Sequence, residues 1–274
     1  MRKYLRSVML VALCLLAGAG TALAENIVIK GSTTVLPIAQ VTLEAYMKAN
    51  PQAKISLSGG GSGEGIKALI DNSTDIANSS REIKKTETEL AKSKGVAPLE
   101  TVVAIDAIVP IVNPRNKVKD LTIDQLSQIY QGKITNWKEV GGDDLEIVVI
   151  SRDSSSGTFE ARGELVLKGA KVSPRAQLQA SNGAIVQTVS KNKYALGYIG
   201  LGYLDKTVKG LTVNGIQASE KTALSKEYPV SRFLYMYTNG EPKGDTAKFI
   251  KFVLSPAGQA LVKKEGFVPL PKKK

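Results

Sequence analysis

Three segments of this 274-residue sequence share one order: a short β-rich run, a loop of glycine and hydroxyl residues, and a helical pattern. The loops are 31–34 (GSTT), 59–65 (GGGSGEG) and 152–158 (RDSSSGT). Strands joined by crossover helices favour a parallel α/β sheet, in which such loops meet at the carboxyl ends of the strands. Backbone N–H groups and helix N-termini at that edge favour anions. The sequence therefore predicts an α/β protein with a site for a small anion.

Each loop alone is weak support for binding, because serine and threonine at a helix start usually serve only as N-caps. The third loop is more informative, since the Arg152 guanidinium can donate paired hydrogen bonds to an oxyanion. A fourth stretch, 75–81 (DIANSSR), is typical of a short buried strand that ends in two hydroxyls and Arg81. An edge turn with an exposed Arg81 is the alternative, and both remain open at this point.

The composition excludes several classes of function. The chain has no histidine, which excludes Ser–His–Asp triads, Cys–His dyads and His-ligated zinc. It lacks a P-loop motif, and the glycine run fails the dinucleotide pattern at Ile66. Lys+Arg number 37 against 25 Asp+Glu, but aromatic residues make up only 5%, so nucleic acid is not an expected partner. We expect no catalytic residue, no cofactor and no metal site. Ser190 and Lys193 do fit an S-x-x-K acyl-transferase pattern, although its companion motifs are missing.

Residues 1–24 are predicted to form a cleaved secretory signal peptide. Basic residues precede an apolar run at 8–16, and Ala22 and Ala24 supply the small residues of a cleavage site. The apolar run is shorter than the roughly 20 residues that span a bilayer. Cys14, the single cysteine, lies within it. We therefore expect an exported protein whose mature chain has no disulfide.

Two long apolar runs, 101–112 and 228–238, have the length to cross between two lobes. Because they bracket the third loop, they predict that one lobe is discontinuous in sequence. We assign residues 25–105 and 226–274 to lobe 1, and residues 106–225 to lobe 2.

Together these stretches resemble the periplasmic phosphate-binding proteins that serve ABC-type phosphate importers. The matching segments are GSTTVLPI (31–38), SGGGSGEGI (58–66), DIANSSREI (75–83), SRDSSSGTFE (151–160), ALGYIGLGY (195–203) and YPVSR (228–232). The resemblance implies the type II periplasmic binding protein architecture, with two Rossmann-like lobes joined by a two-strand hinge. It also implies a monomer that closes over inorganic phosphate and hands it to membrane permease subunits.

Carried over position by position, the resemblance implies phosphate contacts along all four loops. These are Ser32, Thr33, Thr34, Val35, Ser62, Ser79, Ser80, Arg152, Ser156, Gly157 and Thr158.

One position departs from the family pattern. Ser80 stands where some family members have an aspartate that accepts the proton of bound phosphate. Asp153, Glu64 or Glu160 could supply an acceptor instead. Alternatively, Asp153 orients Arg152, and Glu64 only favours a helix N-terminus.

Two alternatives to a phosphate importer remain. A hydroxyl at Ser80 does not repel sulfate as a carboxylate does, so sulfate, molybdate or tungstate could be the ligand. A secreted phosphate scavenger or adhesion protein could use the same fold without a permease.

Overall fold

The computed structural model describes residues 26–271, and the predicted signal peptide lies outside them. The strands are β1 (Asn26–Gly31), β2 (Lys54–Gly59), β3 (Ile76–Ser79), β4 (Pro98–Val112), β5 (Asp120–Leu121), β6 (Val148–Arg152), β7 (Gln177–Gln179), β8 (Ala195–Gly200), β9 (Lys209–Gly210), β10 (Thr212–Val213) and β11 (Ser231–Asn239). The helices are α1 (Leu36–Ala49), α2 (Ser62–Ile70), α3 (Lys85–Ser93), α4 (Ile123–Gln131), α5 (Gly157–Leu165), α6 (Asn182–Lys191), α7 (Glu220–Leu224), α8 (Gly244–Leu254) and α9 (Pro256–Lys264). Two 3₁₀ turns lie at Trp137–Val140 and Leu201–Tyr203.

The main sheet is mixed rather than wholly parallel. Its order is β2-β1-β3-β11-β4-β8-β6-β7, with β9 paired to β4, and β5 pairs separately with β10. β1 runs parallel to β2 and β3, and β6 runs parallel to β7 and β8. The prediction of parallel strands is thus confirmed within each half of the sheet. In the centre, the two crossing runs form β4 and β11, which run antiparallel to each other and to their neighbours.

The two central strands join the halves. β4 pairs with β11 along 98–107 and with β8 along 108–112, so one strand passes from the first half to the second. β11 returns beside it, and Arg232 lies directly opposite Asp106 in their register. This is the two-strand hinge of the type II periplasmic binding protein architecture, with α/β lobes on either side.

A separate hydrophobic core underlies each half of the sheet. The first core includes Ile27, Ile29, Ile38, Leu234 and Phe249. The second core includes Ile111, Leu126, Trp137, Ile185 and Tyr198. Two buried clusters allow each lobe to keep its own packing while the strands between them bend. The lobe boundaries drawn from the sequence stay a prediction.

The C-terminal helical region differs from the sequence expectation. Alternating apolar and basic residues predict one helix over about 246–264, but the structure has two helices that meet at Ser255. Pro256 has no N–H for the preceding turn, so the first helix ends and Ser255 caps the second through the N–H of Gly258. Within residues 26–271, no helix is long and apolar enough to cross a membrane.

Candidate functional site

Loops from distant parts of the chain meet at the carboxyl ends of the parallel strands. Residues 32–35 follow β1, Ser62 follows the β2 loop, Ser80 follows β3, and the segment 152–158 begins at the last residue of β6. The Arg152 Nη1 atom lies 3.3 Å from the Thr33 Oγ1 atom, although 119 residues separate them. The predicted convergence of these loops at one edge is therefore present.

Arg152 lies at the bottom of this cluster and is only 1% exposed. Its Nε atom donates to the carbonyl of Gln179 at 2.9 Å, Nη2 donates to the carbonyl of Ala180 at 2.8 Å, and Nη1 donates to Thr33. Three of the five guanidinium N–H groups are thus used, and two remain for a ligand. Burial lowers the pKa of Arg152, while Asp153, 3.9 Å away, opposes that shift. An arginine keeps its charge at any ordinary pH.

Three hydroxyls form what we call the threonine cluster: Thr33, Thr34 and Thr158. The Thr34 and Thr158 Oγ1 atoms lie 2.8 Å apart, across the two lobes. Asn182 Nδ2 donates to Thr33 at 3.2 Å and to Thr34 at 3.1 Å. Arg232 Nη2 donates to Thr158 at 3.0 Å and to Thr34 at 3.4 Å. The guanidinium groups of Arg152 and Arg232 and the amide of Asn182 therefore donate hydrogen bonds to these hydroxyls.

A second group, which we call the serine pair, consists of Ser62 and Ser80. The Ser80 N–H donates to Ser62 Oγ at 3.0 Å, and the two Oγ atoms lie 3.3 Å apart. Gly157 from the other lobe packs directly on this pair. A Cβ at position 157 would lie 2.3 Å from Ser62 Oγ and 2.7 Å from Ser80 Oγ, so only glycine allows this approach.

Several predicted contact residues instead use their hydroxyls within their own loops. Ser32 Oγ accepts from the N–H groups of Thr34 and Val35, and Ser156 Oγ caps α5 by accepting from the N–H of Phe159. Ser79 Oγ donates to the carbonyl of Arg81 at 2.6 Å. These three serines are buried next to the cluster, but their side chains shape the loops. Val35 is also buried there, at the start of α1.

Asn182 was missed by the sequence analysis. It is fully buried at the start of α6, and its Oδ1 accepts from the N–H of Gly200 at 3.1 Å. The segment 177–182 (QLQASN) is a fourth copy of the strand–loop–helix order, but its strand has no β-branched or aromatic residue to signal it. The Ser181 N-cap and the small residues around it were the available signal.

The hinge strands and the 3₁₀ turn at Leu201–Tyr203 supply further site residues that the sequence analysis did not assign. Arg232 Nη2 pairs with Asp106 Oδ2 at 2.8 Å, and Arg232 Nη1 donates to the carbonyl of Ser80 at 3.0 Å. Tyr203 donates its hydroxyl to the carbonyl of Thr33 at 2.6 Å. Burial raises the pKa of Tyr203 to about 12, despite the opposing effect of Arg152, so the phenol stays a donor. Arg232 and Tyr203 lie in the motifs quoted above, but their contacts depend on tertiary folding.

The acidic candidates for a proton acceptor have other partners. Glu160 pairs with Arg81 and with Lys84, the latter at 2.9 Å. Asp153 Oδ1 accepts from the backbone N–H of Ser155 at 2.8 Å. Glu64 lies exposed in the first turn of α2, where its charge suits the helix N-terminus.

Arg81 itself is 7% exposed, so the alternative of an exposed arginine was wrong. Its Nη2 lies 2.7 Å from Glu87 Oε1, and its pairing with Glu160 links the two lobes beside Ser80.

No cluster of His, Cys, Asp and Glu between residues 26 and 271 could hold a metal ion. At the S-x-x-K match, Ser190 Oγ donates to the carbonyl of Gln187 in its own helix, and Lys193 Nζ lies over the Tyr194 ring. These contacts do not direct the Lys193 amine toward the Ser190 hydroxyl.

Comparison with known proteins gives consistent similarities. Residues 17–257 match the family model of the PBP superfamily domain. The chain is 38% identical to the phosphate-binding protein PstS of Borreliella burgdorferi, over 89% of this chain and 90% of that protein. It is 32% identical to PstS of Bacillus subtilis, over 89% of this chain and 81% of that protein. Among solved structures, it is similar to a putative phosphate ABC transporter substrate-binding protein with bound phosphate from Clostridium perfringens. That match has a TM-score of 0.84 and 37% identity, and covers 90% of this chain and 100% of the other.

Proposed function

Because the chain belongs to the PBP superfamily, and within it to the family of phosphate-binding proteins PstS, we propose that it captures inorganic phosphate between its two lobes. It then delivers phosphate to the membrane permease subunits of an ABC importer. It acts as a monomer outside the cytoplasmic membrane, after removal of residues 1–24, and it catalyses no reaction. The lobe 1 ranges 25–105 and 226–274 and the lobe 2 range 106–225 close on the ligand.

The observation that carries this proposal is the buried Arg152 with two N–H groups left over, beside hydroxyls from both lobes. A buried cation with spare donors favours an oxyanion, since bonds from charged donors are about twice as strong as neutral ones. Thr33 and Thr34 come from lobe 1, and Thr158 comes from lobe 2. A ligand that contacts both sets binds the closed form better than the open form, which is the condition for ligand-driven closure.

The residues proposed to contact phosphate divide by the group they offer. Side-chain hydroxyls come from Thr33, Thr34, Thr158, Ser62 and Ser80, and Arg152 supplies N–H donors. Ser32, Val35, Ser156 and Gly157 offer backbone N–H groups, and Ser79 supports the turn before Ser80. The serine pair takes the place of the carboxylate acceptor, because Ser80 Oγ has free lone pairs once it donates to Ser62.

Calorimetry with four oxyanions tests the ligand. We expect heat and tight binding with phosphate, and weaker binding with sulfate, molybdate and tungstate. Tight tungstate or molybdate binding without phosphate heat would contradict the assignment. The same protein should bind with one phosphate per chain and should run as a monomer in analytical ultracentrifugation.

The import role needs a separate measurement, because a scavenger would bind phosphate equally well. Deletion of the gene should lower phosphate uptake at low external phosphate, and the wild-type gene should restore it. Unchanged uptake in the deletion strain would favour the scavenger or adhesion alternative instead.

A further inference from the structure

Asn182 is placed where it controls the direction of hydrogen bonds on one side of the site. Its side chain is fully buried, and its Oδ1 accepts from the N–H of Gly200 at 3.1 Å. A backbone N–H can only donate, so this contact fixes which side of the amide carries the oxygen. The Nδ2 group must then face Thr33 and Thr34, where it donates to both Oγ1 atoms.

These bonds leave the hydroxyl of Thr33 with no free lone pair. A hydroxyl has one proton and two acceptor positions. Thr33 Oγ1 accepts from Asn182 and from Arg152, so both positions are filled, while Asn182 fills one position on Thr34 Oγ1. Thr33 can therefore act only as a donor to any further group.

Thr34 and Thr158 share a hydrogen bond of their own. Their Oγ1 atoms lie 2.8 Å apart, either can be the donor, and Arg232 Nη2 donates to Thr158 Oγ1 at 3.0 Å. The shared bond uses one of the two protons of this pair and leaves the other for a ligand. The threonine cluster thus presents the proton of Thr33 and one proton from the Thr34–Thr158 pair.

We propose that Asn182 is a positioning residue that fixes Thr33 as a hydrogen-bond donor, fills one acceptor position on Thr34, and so favours HPO4²⁻ over H2PO4⁻. This rests on the proposed function. Phosphate oxygens without a proton accept from the Thr33 hydroxyl, whereas a P–OH group that faces it finds no acceptor. Removing Asn182 frees a lone pair on Thr33 and on Thr34, which can then accept from P–OH groups.

The test compares Asn182→Ala with the wild type on either side of the second ionisation of phosphate, at about pH 5.5 and about pH 8.5. The dissociation constant for phosphate is measured by calorimetry at both pH values. We expect a loss of about 30-fold at the higher pH and about threefold at the lower pH, since each lost bond to a charged ligand is worth one to two factors of ten. An equal loss at both pH values, or no loss, would overturn the proposal, because a merely structural role weakens binding by a common factor.

Asn113, which follows β4 and contacts the C-terminal end of α6, serves as a matched control. Asn113 is also buried, and its Nδ2 donates to the carbonyls of Val189 and Ser190 at the end of α6. Asn113→Ala should change thermal unfolding without changing the ratio of the two dissociation constants. A change in that ratio comparable to the one in Asn182→Ala would also contradict the proposal.

A second variant covers the case in which Asn182→Ala does not fold. Asn182→Asp keeps the shape and the acceptor for Gly200, but its carboxylate accepts from Thr33 and Thr34 and reverses both hydroxyls. We expect a loss of more than about a hundredfold at about pH 8.5 and a smaller loss at about pH 5.5, because H2PO4⁻ carries one charge less beside the carboxylate and its P–OH groups can donate to the reversed hydroxyls. Binding within about threefold of the wild type at both pH values would overturn the proposal. Absence of phosphate binding by the wild type would instead reject the proposed function.

Discussion

The threonine cluster and the serine pair are both sets of hydroxyls at strand ends, yet their surroundings differ. Each member of the threonine cluster accepts from arginine or amide groups behind it. In the serine pair, Ser62 accepts one backbone N–H, and the side-chain contact of Ser80 is with Ser62. Protein donors therefore fill at least one acceptor position on every hydroxyl of the first set and both on Thr33, while most acceptor positions of the second set stay open.

This difference shows how a site can bind an anion that still carries a proton. Fixed donors suit the bare oxygens of phosphate, and an adaptable pair can accept the remaining proton. A carboxylate acceptor would add a second negative charge beside the ligand, whereas the serine pair adds none. The expected cost is weaker rejection of sulfate, because a hydroxyl can also donate.

Removing the charge behind the threonine cluster should have the largest effect. Arg152→Ala removes two N–H groups available to the ligand and the donor to Thr33, and should cost at least about 3 kcal/mol, more than about a hundredfold in the dissociation constant for phosphate. Calorimetry measures the loss, and thermal unfolding without phosphate checks the fold. Arg175→Ala is the control, since Arg175 is exposed and pairs with Glu146 on the surface. A loss no larger than that of a single Ser→Ala variant would show that neutral dipoles dominate.

The serine pair can be blocked from the opposite lobe. Gly157→Ala places a methyl group against Ser62 and Ser80 and should hold the lobes apart. We expect phosphate affinity to fall by about 30-fold, about 2 kcal/mol, while unfolding without ligand changes little, because alanine is a good helix former. Gly163→Ala in the same helix is the control, since a Cβ there has nothing within 4 Å. Small-angle scattering with phosphate should show an open form only for Gly157→Ala.

A direct comparison of one hydroxyl from each set should give smaller, unequal losses. Thr33→Val leaves donors of Arg152 and Asn182 without an acceptor, so the binding free energy for phosphate should weaken by about 2 kcal/mol. Ser80→Ala removes a hydroxyl with one side-chain partner, so the binding free energy for phosphate should weaken by about 1 kcal/mol. Phosphate titrations in the presence of sulfate should show that Ser80→Ala also lowers the ratio of phosphate affinity to sulfate affinity. Equal losses in affinity and selectivity would remove the distinction between the two sets.

The Arg81–Glu87 pair, which lies next to Ser80 in the chain, should affect stability at acid pH more than phosphate binding. Burial opposes the shift, but the hydrogen bond from Arg81 and the N–H of Lys84 lower the pKa of Glu87. Its stabilising effect is therefore complete above the unfolded-state pKa of about 4.3, and is lost as pH falls through the lower folded value. Urea unfolding between about pH 3 and pH 6 should show a flatter acid branch for Glu87→Gln. Glu89→Gln, an exposed position on the same helix, should keep the wild-type slope.

The sequence predicted the parts of this molecule that local patterns encode. The three loops after β1, β2 and β6 were assigned from glycine and hydroxyl content, and Arg152 was selected because its segment combined both with a guanidinium. The two crossing runs were predicted from their length. The break at Pro256 was missed because the apolar spacing continued across it.

The rest of the site depends on contacts that no local pattern carries. Asn182 follows a strand of ordinary polar residues, and Arg232 reaches the cluster only because β11 lies beside β4. Hydrogen-bond direction is even less accessible, since it depends on which donors fold behind each hydroxyl. Thr33 and Ser62 look alike in the sequence, and tertiary neighbours make them different.

The Asp106–Arg232 pair has a consequence for the working cycle of the protein. Both charges lie on the two adjacent hinge strands and not on opposite lobes, so opening of the lobes leaves the distance between them unchanged. The Asp106 and Arg232 side chains therefore stay paired, and out of contact with water, each time the ligand is released. Opening of the lobes must instead break the Arg81–Glu160 and Lys84–Glu160 ion pairs that span them, together with the hydrogen bonds to the ligand.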